Sequence, residues 1–391
     1  MDIEIATENE LSVSVLMIAM TNSIHTARWI NQFRGVSMQI TLIPSTGTSN
    51  VHPMIKDLLN SEGPLKLKVP ENFRRNAFLI GAFDNFSHGI FRGIQINRWL
   101  RSSFNGFDVV HALELQHAGY VLMRLGKTKA FSRVIVTTWG CDIAWFSRYR
   151  RHRNHIKKLL SIATHHSCEC QRDVMLASDL GFNGINLPVH PVSGPIYKTQ
   201  LDKTDFSAVT SSRKMILIKG YTKFVGRADI ALKAIELCAA ECKEYEVVVF
   251  SSDRKSRRIA KGITKKTGLE IKCLKPYEMS HDSMLNLFMS ARIYLGVSMS
   301  DGISTSLLEA ISSGSFPIQT NTSCASEWIE DGVNGFTVDY TNPRIITQKI
   351  VEALTNDDLV DRAAKLNRSI AEKRLSAESM ISDHLSFYQL K

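Results

Sequence analysis

The sequence predicts an α/β protein made of two doubly wound, Rossmann-like domains. Three observations carry that reading. Short apolar, β-branched runs bounded by turn residues alternate with helical stretches along most of the 391 residues, the pattern of buried parallel strands joined by crossover helices. The alternation stops at a segment carrying Pro188, Pro191 and Pro195 and a polar stretch to Arg213, then restarts, as expected where few packed elements cross a domain boundary. With 44% apolar and 22% charged residues, the chain has ample material for two cores and does not resemble a disordered tail.

In the first half the strand runs are Val13 to Ala19, Gln39 to Ile43, Asp108 to Ala112 and Arg133 to Thr138. In the second half they are Met215 to Lys219, Glu246 to Phe250, Ile271 to Leu274, Ile293 to Val297 and Phe316 to Thr320. These give a first domain over 1–190, a linker over 191–212 and a second domain over 213–372. Ligands of open α/β sheets collect at the carboxyl ends of the strands, so the residues just after each run are the candidates for chemistry.

The charge is +10, from 48 Lys and Arg against 38 Asp and Glu, which suits an anionic partner without choosing among nucleic acid, membrane and phosphorylated small molecules. Seven scattered cysteines, an odd number, fit a reducing, cytoplasmic compartment better than a disulfide framework. The apolar stretch from Val13 to Met20 is too short to span a bilayer and follows an acidic start, so any membrane contact is expected to be peripheral.

Residues 293–320 read as strand, loop, helix, glycine stop at Gly314, strand. The loop Ser300 to Thr305 brings small residues to a helix start, where unpaired N–H groups and the positive dipole end suit a diphosphate. Asp301 and Glu309, eight apart, offer two carboxylates to hydroxyl groups of the same ligand. The plainer alternative is a capping box formed by Ser306 and Glu309, with Asp301 an ordinary turn residue.

The larger pattern resembles the family 4 glycosyltransferases. It carries Asp301-Gly302, Leu308-Glu309-Ala310, Gly314 and Pro317, then Glu327 and Asp331-Gly332-Val333-Asn334-Gly335. The family has Glu where Asp301 stands and Phe-Gly where Ile303-Ser304 stands. The resemblance implies a GT-B fold: two Rossmann-like doubly wound domains facing across a cleft, the second binding a nucleotide-diphosphate sugar. It places Glu309 at the ribose, Asp301 near the donor sugar, and the backbone of Gly302, Ile303, Ser304 and Thr305 at the pyrophosphate. The loop Lys219 to Arg227 corresponds to the family's phosphate-binding Arg and Lys in an altered register, with Arg227 and then Lys223 as the candidate cations beside a helix start; a solvated basic loop is the alternative. The resemblance further implies retention of configuration, no metal and no cofactor, and a C-terminal helix, within 373–391, that returns towards the first domain.

On the first domain, His25 lies where the family opens its first helix with a glycine-rich turn. Phe107 to Glu114 resembles the strand ending in H-x-H, with Leu113 in place of the second histidine, leaving His111 and Glu114 as candidates; His111 alternatively serves only as a hydrogen-bonded strand residue. Thr137 to Ile143 resembles T-x-H-G-x-D with Trp139 in place of histidine, and makes Asp142 the acceptor-side carboxylate.

Two acid-free stretches interleave aromatics with basic residues: Asn85 to Phe107, with Phe91, Arg92, Arg98, Trp99, Arg101 and Phe104, and Ile143 to Cys168, with Trp145, Phe146, Arg148, Tyr149, Arg150, Arg151, Arg153, Lys157 and Lys158. They suit an anionic membrane surface presenting a lipid-linked acceptor, or are solvated basic faces. His165, His166, Cys168 and Cys170 lack a second cluster at metal-site spacing.

The expected reaction is transfer from a UDP- or GDP-sugar to a glycan or lipid-linked glycan, in bacterial surface polysaccharide or lipopolysaccharide assembly at the inner face of the plasma membrane. Two rivals remain: a sugar-nucleotide epimerase of the same fold, and a basic nucleic-acid-binding protein, the second without a zinc-finger or RNP-like motif. Neither G-x-G-x-x-G after the first strand nor G-x-x-x-x-G-K-[ST] occurs, which disfavours nicotinamide and P-loop enzymes.

Overall fold

A computed structural model describes residues 13–47, 50–74, 83, 89–102, 106–125, 131–195, 209–276 and 278–388. Most of the predicted linker (196–208) lies outside the described residues, as do Asn85 and Phe104. The chain divides into two compact units, Met1–Pro195 with Glu378–Lys391, and Ile196–Ala377.

The first unit holds a seven-stranded parallel sheet in the order β3-β2-β1-β4-β5-β6-β7. Its strands are β1 (Ser14–Ala19), β2 (Met38–Pro44), β3 (Leu65–Lys68), β4 (Val109–Leu113), β5 (Arg133–Thr137), β6 (His165–Ser167) and β7 (Ile185–Asn186). Period-two alternation splits β1 between two cores. Leu16 and Ile18 pack with Val110, Val136 and Leu159 on one face, whereas Val15 and Met17 pack with Trp29, Ile30 and Leu42 on the other. A strand covered on both faces is apolar throughout, which is why β1 was legible as a continuous run.

The helix Ala377–Ser386 belongs to this unit, and the residues after it close one core. The Tyr388 hydroxyl accepts from Trp29 Nε1 at 2.8 Å and bonds His111 Nδ1 at 2.7 Å. Arg133 donates to the carbonyls of Ser386 and Phe387 at 2.6 and 2.8 Å. Phe387 and Tyr388 are buried against Phe33 and Trp29, each such side chain contributing roughly 1.5–3 kcal/mol.

The second unit holds a six-stranded parallel sheet in the order β10-β9-β8-β11-β12-β13. The strands are β8 (Met215–Lys219), β9 (Glu246–Phe250), β10 (Ile271–Cys273), β11 (Ile293–Gly296), β12 (Phe316–Thr320) and β13 (Phe336–Val338). Strand order reverses between β1 and β4 in the first unit and between β8 and β11 in the second. At such a switch point neighbouring connections leave in opposite directions and open a crevice at the strand ends.

Candidate active site

In the second unit the switch point is occupied by charge. Lys219 closes β8, and its Nζ donates to Ser304 Oγ at 2.9 Å and lies 3.9 Å from Asp301 Oδ2. Burial opposes the ammonium, but the oxygens of Tyr221, Tyr294 and Asp301 around it outweigh that and raise the Lys219 pKa, so the cation is kept. Lys219 also sits 5.2 Å over the Tyr221 ring.

Ser304 is the N-cap of the helix Thr305–Ser312, yet its side chain makes no capping bond. Its hydroxyl is turned to Lys219 instead, so the N-cap side chain does not occupy the positive end of the helix. Gly302 N donates to Asp301 Oδ1 at 3.0 Å, which tightens the loop entering the helix. The capping-box alternative fails here. Ser306 lies inside the first turn, and Glu309 Oε1 bonds His281 Nε2 at 3.0 Å.

The basic loop after β8 is a closed structure. Thr222 donates through both N and Oγ1 to Asp253 Oδ2, at 2.7 Å each, while Asp253 caps the helix Arg254–Thr267 through Ser256 N. Partial burial raises the Asp253 pKa, but these donors outweigh it and push it down to about 2. Gly226 pairs with Ser298, and a Cβ there would come within 2.4 Å of the Tyr221 carbonyl, so only glycine lets the loop fold this tightly. Arg227 is folded back, donating to the Gly226 carbonyl at 2.7 Å and touching Met299 Sδ. Lys223 is exposed. Of the three cations, Lys219 is the one that bonds the N-cap of the helix Thr305–Ser312, whereas Arg227 is the N-cap of the helix Ala228–Leu237.

In the first unit the ends of β4 and β5 carry Glu114 and Asp142, both buried. Glu114 accepts from the backbone N–H of Gln116, His117 and Ala118. Its φ of 85° and ψ of 149° lie in a region that costs a non-glycine residue about 1–3 kcal/mol. Asp142 accepts from Trp139 N at 2.8 Å and Leu115 N at 3.1 Å. Desolvation raises both carboxyl pKa values, and Glu114 adds to the rise at Asp142. His25, at the start of the helix Ile24–Asn31, packs its ring 5.4 Å from Trp139.

His111 is placed in the core. Both ring nitrogens are engaged, Nδ1 with Tyr388 and Nε2 with Thr137 Oγ1 at 2.6 Å, and burial lowers its pKa to about 3. A buried neutral ring saturated with partners cannot meet a substrate here, which corrects its candidacy as a catalytic group. Arg92 is corrected likewise: it is buried and donates to the carbonyl of Phe73 and to Gln95 Oε1, so it does not join Arg98 and Arg101 on the surface. His166 bonds Thr138 and Asn186, at 3.2 and 3.1 Å.

Sequence reasoning placed Lys219 in the basic loop but ranked Arg227 and Lys223 above it, and missed His281, Asp253 and Tyr388 as keystones. A lysine ending the otherwise apolar run MILIK was a readable signal, as was Ser251-Ser252-Asp253 before a helix. The His281 to Glu309 contact spans 28 residues and has no local signature.

Two parallel-sheet α/β units, each with its polar groups gathered at the switch point, define the class as GT-B. The second half, residues 202–370, matches the family profile of glycosyl transferases group 1, and residues 14–167 match that of glycosyl transferase 4-like proteins. The chain belongs to the GT4-like glycosyltransferases. No curated protein sequence matches it. Among solved structures it is similar to a glycosyltransferase from Rickettsia africae ESF-5, with a TM-score of 0.68 at 14% identity over 96% of this chain and 98% of that one. It is also similar to Anabaena HepE in complex with UDP and glucose, with a TM-score of 0.64 at 11% identity over 96% and 98%. A third is the UDP-forming trehalose-phosphate synthase of Burkholderia xenovorans with glucose-6-phosphate, with a TM-score of 0.71 at 10% identity over 96% and 100%. Among the described residues, no helix is long and apolar enough to cross a membrane.

Proposed function

We propose that the protein transfers a hexose from a nucleotide-diphosphate sugar to an acceptor hydroxyl with retention of configuration. The observation that carries this is the Lys219 ammonium 2.9 Å from the hydroxyl of Ser304, at the start of a helix whose N-cap side chain makes no capping bond. A cation and a helix N-terminus converging on one point suit a diphosphate, and they gain importance as it leaves and its charge grows. HepE is similar in fold and has been crystallised in complex with UDP and with UDP-glucose, which supports UDP as the first nucleotide to try, with GDP as the second.

In this reading Glu309 holds the ribose, Asp301 the donor sugar, and the backbone of Gly302, Ile303, Ser304 and Thr305 the pyrophosphate. The bond from the anomeric carbon to the diphosphate breaks, the acceptor oxygen bonds to that carbon on the same face, and the acceptor proton leaves on the diphosphate. Lys219, with Arg227 if it unfolds from its loop, supplies the positive charge, so no metal or cofactor is required. His25, Glu114 and Asp142 belong to the acceptor-binding unit, the two carboxylates acting by holding the loops that begin at Leu115 and Trp139.

The acceptor proposed is a glycan or lipid-linked glycan of surface polysaccharide or lipopolysaccharide assembly, met at the anionic inner face of the plasma membrane. Exposed Phe83, Ile90, Phe91 and Ile94 beside exposed Arg98 and Arg101, and exposed Arg150, Arg151, Arg153, Lys157 and Lys158, support it. Apolar groups inserted among basic ones hold a peripheral protein to anionic lipid.

A calorimetric titration with UDP and GDP tests the donor site. Wild type is expected to bind one of them, and Glu309→Ala and Lys219→Ala to bind it at least about tenfold more weakly, a loss of about 1.4 kcal/mol. Equal binding by all three proteins overturns the reading. Conversion of the donor without any acceptor points to an epimerase, and tight, salt-sensitive oligonucleotide binding without nucleotide binding points to the nucleic-acid alternative.

A further inference from the structure

We infer that Tyr294 is a positioning residue for the diphosphate site: its hydroxyl, seated in the space that Gly296 leaves, keeps the Ser304 hydroxyl with Lys219 and off the N–H groups of the helix that Ser304 precedes. The inference rests on the donor-site reading above and adds a residue that the sequence pattern does not mark.

Strand register brings the participants together. Tyr294 pairs with Leu217 of β8 and with Pro317 of β12, and Gly296 pairs with Gln319. Lys219 follows Leu217 by two residues, so the side chains of Tyr294, Lys219 and Gln319 leave the same face of the sheet. In the row between Lys219 and Gln319 stands Gly296, which has no side chain. A Cβ there would come within 2.5 Å of the Tyr294 hydroxyl and 2.1 Å of Gln319 Oε1, so these two polar groups fill the space.

The groups form a chain in which each member donates to the next. Lys219 Nζ donates to Ser304 Oγ at 2.9 Å, and the Ser304 hydroxyl bonds that of Tyr294. Tyr294 donates to Gln319 Oε1 at 3.3 Å, Gln319 Nε2 to Ser323 Oγ at 3.0 Å, and Ser323 Oγ to the Thr320 carbonyl at 3.0 Å. Ser304, Tyr294, Gln319 and Ser323 are all buried, where a satisfied polar chain fixes the orientation of its members. Burial pushes the Tyr294 pKa up to about 12, so the hydroxyl keeps the proton that it gives to Gln319.

An N-cap serine ordinarily turns its oxygen to the N–H two or three residues on, which here means Ser306 or Leu307. Turned that way, it would occupy the end of the helix that suits a phosphate. Held between Lys219 and Tyr294, it does not. A released hydroxyl is therefore worse for the site than none, and that inequality is the signature of the role.

The experiment measures dissociation constants for UDP and GDP with wild type, Tyr294→Phe, Ser304→Ala, the double variant carrying both changes, and Lys219→Ala. For the nucleotide that wild type binds, Tyr294→Phe should weaken binding about tenfold, the size of one capping bond. Ser304→Ala should stay within about threefold of wild type, and the double variant within about twofold of Ser304→Ala. Gly296→Ala, whose methyl meets the ends of the Tyr294 and Gln319 side chains, should show the same dependence on Ser304, and it serves in place of Tyr294→Phe if that variant does not fold. Equal loss with and without the Ser304 hydroxyl means that Tyr294 only supports the fold and overturns the inference. So does no loss in either background, or Ser304→Ala binding as weakly as Tyr294→Phe. Lys219→Ala binding like wild type, or no binding of either nucleotide to wild type, overturns the donor site itself, and this inference with it.

Discussion

The two sheets share their parallel order around a switch point, yet they use the groups at their strand ends in opposite ways. In the first unit the turn after β4 begins at Glu114, whose carboxylate takes the N–H groups of Gln116, His117 and Ala118. The helix-like start is filled by the protein's own anion. In the second unit Ser304 stands at the same kind of place and caps nothing, its hydroxyl being turned to Lys219. A chain that caps one helix start with the N-cap carboxylate and leaves the N-cap side chain of the other unused has distinguished a site that holds its own loops from one that suits an outside anion. The scaffold supplies the place, and one side chain at the N-cap decides whether an outside anion fits.

The sharpest way to break that contrast is to make the second start resemble the first. Ser304→Asp places a carboxylate at the N-cap beside Lys219, where it both caps the helix and repels a diphosphate. Nucleotide binding and kcat/KM should fall by about 100-fold or more, a size comparable with removing a donor to developing charge. Thermal stability should hold or rise, because Asp is a better cap than an unused Ser. A variant that keeps nucleotide affinity would show that the diphosphate does not meet this helix.

Much of this architecture was legible beforehand. The predicted bounds of β8, β9 and β12 coincide with the observed strands, because strands covered on both faces read as unbroken apolar runs. β3, β6, β7 and β13 were not read. Leu65–Lys68 alternates Leu with Lys, His165–Ser167 is polar, and the other two have two or three residues, so none carries the period or length that marks a buried strand. Asp301 and Glu309 came from a local motif. The partner of each came from another element: Lys219 closes β8 and His281 opens a helix, 82 and 28 residues away respectively. Spacing within one segment says nothing about such pairs, since they depend on which strands become neighbours. His111 illustrates the converse, for its pattern suggested chemistry while Tyr388, 277 residues on, makes it part of the core.

The first unit's side of the contrast is a matter of stability and pH. Asp142 is held with a raised pKa by desolvation and by Glu114, so the folded state binds this proton more tightly than the unfolded chain. The sign follows directly: the contribution is fully present below the ordinary carboxyl pKa, near 3.8, and is lost as pH rises through the folded value. Urea unfolding from pH 4 upward should show Asp142→Asn losing stability less steeply than wild type, by at most about 1.4 kcal/mol per pH unit. At the low end the variant should be the weaker protein, since its amide cannot accept from both Trp139 and Leu115. Parallel pH profiles would mean that the carboxyl is not strained by burial.

The smallest expected effect concerns the cations after β8, and it separates charge from placement. Lys223 and Lys219 lie four residues apart, but Lys223 is exposed on the loop, whereas Lys219 Nζ lies against Ser304. An exposed charge is screened by water and salt. Lys223→Ala should therefore change donor kcat/KM by less than about threefold, with most of that small change disappearing at high salt. A loss as large as that expected for Lys219→Ala would instead mean that the loop rearranges around the donor and brings Lys223 to the phosphate, and the contrast between an ordered cation and a solvated one would fail.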